Sequence, residues 1–528
     1  MSIIISARDT GYFGIRMSHQ LYVCDDTPNI SSASSLQLSD SLCERGGANS
    51  KWGTIAKEHF NERLVHLDLK GAPPRMQYLI QLLPLFKIMG ATGLLVEYED
   101  TYPYVGDLQL LRGDDAYTEK EIVEFLKQAD DSRLHVVPLV QTFGHLEFVL
   151  KHDKFKNLRA TPDNPTSLCV MNKGSLPLVK DMISDIMRLH SNSRFVHLGG
   201  DEVYNLGDCG LDKDSGLTKE ALYAYHMKPV LQFVKDQFSN VKPFIWHDML
   251  SQWSENRLRE MAGLVEPMVW EYRPSVERSV STATLQRFSN VFPCIWAASA
   301  FKGASGHSAD YVPVAERIQN HVSWSRILQS FPGPGKLVGI ALTGWSRYDH
   351  YAPYCELLPA GIPSLGLCLS TLTSGYLTDT SHRKISKELG IPYPIPLDKT
   401  DSLTFSNDKV FEVAWGYEVY QLSLKLAQAR HRLEEGIEVE QCWSSLWHIE
   451  HNFVNYHKLI EAKESLMSAL RLYENIEQEA GDVLPKFYSE TTTAEFQKSK
   501  VHAVFLYIKQ LLSNLENKID KFAGKATQ

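Results

Sequence analysis

The sequence predicts an α/β protein, a (β/α)8 TIM barrel followed by a C-terminal α-helical extension. Three observations predict it. Eight short apolar runs alternate with eight segments of helical periodicity over about 310 residues. Polar and aromatic residues gather at the C-terminal end of one run after another, the face on which barrel proteins build their sites. A Pro-rich break, LGIPYPIPLDK, is then followed only by long helical periodicity.

Taken in order, residues 1–60 are rich in Ser, Asp and Gly without sustained periodicity and read as a flexible leader. The barrel is expected over 61–380. Its strands are predicted at 64–70, 93–99, 134–141, 194–200, 243–248, 267–272, 292–299 and 337–345. Helices are predicted near 75–90, 118–130, 175–191, 218–239, 254–262, 278–289, 313–330 and 353–373. An open doubly wound sheet is the alternative, but no Gly-rich phosphate turn follows the first strand. A connector over 381–400 leads to a helical region over 401–528, with periodic stretches at 408–435, 437–479 and 493–523. These read as long antiparallel helices, packed as a bundle, against the barrel, or against a second copy of the chain as a homodimer.

Lys+Arg 54 against Asp+Glu 63 gives a net charge of −9, without the basic footprint that nucleic acid or an anionic membrane requires. The opening MSIIISARDTGYF has too short an apolar core for a secretory signal, and no run reaches membrane-spanning length. The eight cysteines include no CxxC pair or metal-ligand spacing, so reduced thiols in cytoplasm or nucleus are expected.

The chemistry centres on RFVHLGGDEV, residues 194–203. A buried strand breaks at two glycines, which allow close backbone approach, and then presents Asp201 and Glu202. Adjacent carboxyls at such a strand end repel, so one of them is expected to hold its proton near neutral pH, as a general acid must. Lys70, Glu99, His145, Trp246, Asp248, Trp270, Trp296 and Trp345 fall at or beyond other strand ends. Four tryptophans there suggest a wall for a sugar ring. Two adjacent acids do not straddle a glycosidic bond as the separated pair of ordinary glycosidases does. They suit instead a sugar that supplies its own nucleophile, a 2-acetamido oxygen, with one acid protonating the leaving oxygen and the other steering the amide.

Six stretches in order, VHLDLKGAPP, LLVEYEDTYPY, PLVQTFGHLEFVLKH, DEVYNLG, WAASAFKGA and LTGWSRYDHY, together resemble glycoside hydrolase family 20, the β-N-acetylhexosaminidases. The resemblance spans about residues 60 to 375 and is stronger toward the family's cytosolic branch. It implies a retaining, substrate-assisted hydrolase of N-acetylhexosamine-terminated glycans, GalNAc favoured over GlcNAc, needing no cofactor. It assigns Asp201 to orienting the acetamido group and Glu202 to acid/base work. It places His145 behind Glu202, Glu99 as acidic partner to His145, and Trp246, Trp270 and Trp345 around the sugar, with Trp296 a weaker match. Three departures stand out: Lys70 replaces an arginine that grips hydroxyls, Trp345-Ser346-Arg347-Tyr348 replaces Trp-x-Glu-Tyr, and no tyrosine in 292–303 matches the one that bonds the acetamido carbonyl, Phe301 being unable to donate. Lys70, Arg347 and Tyr348 are thus the expected hydroxyl contacts.

Three rival readings use the same residues. His66, Asp68, His145, His197, His247 and Asp248 can be written as a divalent-metal cluster. Glu271 can be written as a covalent nucleophile. A sugar-binding barrel without activity keeps the fold alone.

Overall fold

The structure is a computed structural model, described for residues 59–391, 394–398 and 415–523. The leader predicted over 1–60 lies outside the described residues except at its last two positions. Eight parallel strands close into a barrel: β1 (Glu62–Asp68), β2 (Gly93–Glu97), β3 (His135–Leu139), β6 (Phe195–His197), β7 (Lys242–Trp246), β8 (Glu266–Trp270), β9 (Cys294–Lys302) and β10 (Lys336–Gly344). Around the ring the order is β1-β10-β9-β8-β7-β6-β3-β2, so the sheet has no edge and the doubly wound alternative falls. An antiparallel hairpin, β4 (Arg159–Thr161) and β5 (Asn164–Leu168), is inserted between the third and fourth barrel strands.

The strands are buried on both faces. Outward residues such as Val65, Leu94, Val196, Ile245 and Ile340 pack beneath the surrounding helices. Inward residues Leu64, Leu95, Val137, Leu139, Phe195, Phe244, Trp246, Met268, Trp296 and Ala341 fill the barrel interior, and Trp270 and Trp345 pack against this plug. The interior is therefore solid, and a ligand is confined to one end of it.

One expectation about the tail is corrected. Within the predicted connector, Thr378 caps a helix at Asp379–Glu388 through a hydrogen bond from the Ser381 amide, so local capping makes part of that segment regular. Past it the chain forms helices Tyr417–Trp443, Tyr456–Val483 and Ala503–Ala523, the first two meeting along their length and the third lying on the second. Gly436 of the first lies against Leu466 and Ala462 of the second, and Leu422 and Leu426 border the barrel residues Leu357 and Ala360. Trp443, Leu446, Trp447 and Phe453 remain exposed at the turn between the first two. No described helix is long and apolar enough to cross a membrane.

The expectation that all thiols are reduced is also corrected. Cys169, just after β5, and Cys209, at the cap of a short helix Gly210–Asp214, form a disulfide across a sequence separation of 40. The barrel folds these distant positions together, which spacing in the chain does not disclose, and the bridge removes the thiol argument for a reducing compartment. Cys355, Cys368 and Cys442 are free.

Candidate active site

A cavity of about 240 Å³ opens at the C-terminal end of the barrel, with room for one sugar ring. Its walls include Lys70, Glu97, Gln141, His145, Asp201 and Glu202 on one side and Trp270, Tyr272, Trp345 and Tyr348 on the other, with Gly303 and Ala304 between.

The segment after β6 is bent to deliver the two acids. Gly199 and Gly200 have φ of 59° and 82°, a left-handed region closed to most side chains, and Glu202 itself has φ 45°. Tyr223 donates to the Gly200 carbonyl at 2.8 Å and Thr142 to that of Leu198 at 2.6 Å, locking the bend. A β-carbon at Gly144 would collide with the Asp201 carbonyl oxygen, so a glycine lets the loop carrying His145 lie against the loop carrying the acids.

His145 meets both acids, its Nε2 3.5 Å from Asp201 Oδ2 and 3.4 Å from Glu202 Oε2. Burial alone would disfavour an imidazolium, but the Asp201 charge and hydrogen bonds to both carboxylates hold the His145 pKa well above its ordinary value. The same hydrogen bond, against opposing burial, holds Glu202 below the ordinary carboxylate range. Of the expected pair, Glu202 is therefore not the carboxyl that retains a proton: the hydrogen bond from His145 favours its ionised form. The carboxyl that is held up is Asp248: burial and the nearby Asp201 push it up to about 7. Asp248 accepts the Glu202 backbone N–H at 2.9 Å and the Trp270 indole N–H at 3.1 Å.

The floor is a cluster of buried charge. Lys70 Nζ lies 3.2 Å from Asp68, 3.7 Å from Glu99 and 3.9 Å from Glu97, and 5.3 Å over the Trp345 ring. Despite its burial these carboxylates keep Lys70 charged. Glu97 is held low chiefly by Lys70 against its own burial, and Gln141 donates to it at 3.0 Å. Burial drives Glu99 the other way, well above the carboxylate range, and drives its partner His350 down to about 2. A protonated Glu99 thus donates to a neutral His350.

Several sequence-based placements change. Glu99 serves Lys70 and His350, not His145. Trp246 is wholly buried, its ring 4.2 Å from His197 and 6.2 Å from Trp345, and supports the floor without lining the cavity. Trp296 lies deeper, donating to Glu266 at 2.8 Å and packing on Phe195 and Phe244. Arg347 turns away to pair with Glu495 of the helical region at 2.7 Å and to stack on Tyr354. Trp270, Trp345, Tyr348 and Lys70 line the cavity as expected from their positions. Phe301 is buried in the outer core.

Tyr272, Gln141 and Glu97 were not singled out from sequence. Tyr272 follows Trp270 by two residues at the end of a strand, the spacing that puts both side chains on one face, and their rings stack at 5.4 Å.

Two of the rivals lose their geometry. Glu271 accepts from both the backbone and the guanidinium of Arg273, and does not line the cavity. Among the described residues, the six His and Asp side chains of the metal reading do not bring three donor atoms within 4.8 Å of one another. His66 instead bonds Glu97 at 3.1 Å, and His247 Nδ1 accepts the Trp270 N–H at 3.3 Å.

Residues 87–287 match the catalytic domain of glycosyl hydrolase family 20. The chain is 38% identical over 469 residues to Hexosaminidase D of Homo sapiens, covering 86% of this chain and 94% of that protein. It is 42% identical over 336 residues to Hexosaminidase D of Bos taurus, covering 62% and 97% respectively. A solved β-N-acetylhexosaminidase from Bacteroides fragilis aligns with a TM-score of 0.46 at 13% identity, over 60% of this chain and 66% of that one.

Proposed function

The chain belongs to glycosyl hydrolase family 20, and from that premise we propose a retaining, substrate-assisted mechanism acting on terminal N-acetylgalactosaminides in preference to N-acetylglucosaminides. The protein is a glycoside hydrolase, a β-N-acetylhexosaminidase acting on glycans.

One observation carries the mechanism. Asp201 and Glu202 are adjacent in the chain and both engage His145, while the other carboxylate lining the cavity, Glu97, is taken up by Lys70, His66 and Gln141. Glu202 is part-exposed at the rim and suited to the departing oxygen. Asp201, nearly buried beside it, is suited to the acetamido nitrogen. Tyr272 supplies the phenol that Phe301 cannot, directed at the acetamido carbonyl. As the amide oxygen attacks the anomeric carbon, the proton held between His145 and Glu202 passes to the leaving group. An oxazolinium forms, whose positive charge Asp201 stabilises, and Glu202 then removes a proton from the water that opens it.

For the galacto preference, the support is the floor: Lys70 is a point cation held by the Asp68 and Glu97 carboxylates, where a planar guanidinium would fork to two hydroxyls. Hydrolysis of matched 4-nitrophenyl N-acetylgalactosaminide and N-acetylglucosaminide, with an enzyme-free reaction as the blank, tests the reading. A higher kcat/KM on the galacto substrate is expected, and equal or reversed values overturn the preference. Comparable cleavage of the 2-hydroxy glycoside would overturn the substrate-assisted route.

A further inference from the structure

We infer that Asp248 is a positioning residue that couples the acid/base to the sugar wall: its single carboxylate holds the Glu202 backbone with one oxygen and the Trp270 indole with the other. The inference rests on the reading of Glu202 as the proton donor.

Asp248 does not line the cavity, so it reaches substrate only through these two contacts. The Glu202 N–H reaches Oδ2 at 2.9 Å, and the Trp270 Nε1–H reaches Oδ1 at 3.1 Å. Both partners need holding. Glu202 sits at φ 45°, a left-handed conformation that a side chain of its kind does not keep without external constraint, and its carboxylate points into a part-open rim. Trp270 is only partly buried, at the end of β8, and is fixed on its other edge by stacking on Tyr272. The backbone that carries the carboxylate is held: Asp248 opens a short 3-10 turn, Asp248–Leu250, and the Ser251 hydroxyl donates to the Asp248 main-chain carbonyl at 2.7 Å. A sugar seated against Trp270 is thereby set in register with the acid above it.

The geometry makes an exacting demand. Two N–H donors converge on one group, and the two carboxyl oxygens of Asp248 offer an acceptor to each. Asparagine has the same shape but one acceptor, so its NH2 must face one of the two donors. Asp248→Asn therefore breaks one arm of the clamp without opening a cavity.

The test is the kcat/KM of Asp248→Asn on two N-acetylhexosaminides with the same sugar, one with an activated 4-nitrophenol leaving group and one with a poor alkyl leaving group. The clamp predicts a fall at least about tenfold larger on the poor leaving group, because misplacing Glu202 costs most where protonation is most needed. Any loss of sugar binding is common to both substrates and cancels. An equal fall on both, with Glu202→Gln still discriminating between them, overturns the inference while leaving the acid assignment standing. If Glu202→Gln does not discriminate, the acid assignment itself fails. Should Asp248→Asn not fold, Trp270→Phe keeps the carboxylate and removes one donor. The clamp then predicts the same leaving-group bias, and an even loss overturns it.

Discussion

His145 Nε2 stands 3.4 Å from the Glu202 carboxylate, and the proton between them resides on the histidine in the resting protein. In the proposed mechanism Glu202 is therefore recharged from a neighbour and does not have to hold its own proton at neutral pH. That arrangement sets the pH range over which the enzyme works.

The active form carries one proton on the His145–Glu202 pair. It is lost at the alkaline end as pH rises through the raised value of His145, and at the acid end as a second proton lands on Glu202 below its depressed value. In His145→Gln the proton must sit on Glu202 alone, whose pKa returns toward 4.5. The alkaline limb of kcat/KM is expected to move acidward, so that activity at pH 7 falls far more than activity at pH 5. An alkaline limb that stays in place would contradict the shared proton. The sign for stability follows the same way: a raised histidine stabilises the fold below its unfolded value and ceases to do so above its folded one, so the variant loses stability at acid pH and little at high pH.

Asp201→Asn keeps the shape but withdraws the charge that the proposed mechanism sets against a developing oxazolinium. A fall in kcat of about a hundredfold with KM nearly unchanged is expected, since the interaction strengthens only as charge appears. Steady-state kinetics on the 4-nitrophenyl substrate measure it, and a KM defect alone would reassign Asp201 to binding.

Tyr272→Phe separates two roles of the wall. Losing the phenol should lower kcat by roughly ten- to a hundredfold while preserving the stack on Trp270. Trp345→Ala removes ring surface and should mainly raise KM. Reversal of the two patterns would exchange their assignments.

Glu495→Ala probes the link from the helical region to the barrel mouth. Glu495 bonds Arg347 and Tyr354, each at 2.7 Å, and Arg347 sits between the cavity residues Trp345 and Tyr348. Leaving a buried guanidinium short of a partner is expected to cost about 1–3 kcal/mol, read as a lowered Tm, with a severalfold rise in KM. An unchanged KM would make the contact purely a brace.

The barrel was legible because each strand is a bounded apolar run and each helix an amphipathic period, both local signals. Asp201, Glu202 and His145 were legible because glycine-broken loops at strand ends mark them. Depth was harder to read. The predicted strand 292–299 put Trp296 near its end, whereas β9 runs to Lys302, so Trp296 belongs to a lower layer of the plug. Arg347 was misread because its partner lies 148 residues away, and Cys169 because its own lies 40 away. Tyr272 had a usable signal, the two-residue spacing from Trp270, within a strand that was correctly located.

Of the five non-glycine residues with left-handed backbone among those described, Glu99, His145 and Glu202 all surround this cavity. Each such conformation carries a cost of roughly 1–3 kcal/mol. Glycine would relieve that backbone cost, but at Glu99 and His145 it would also strip Lys70, His350 and both acids of a buried partner, so a campaign for heat tolerance gains little here and loses the site. Selection for a hardier catalyst has to be directed elsewhere in the chain, leaving this trio untouched.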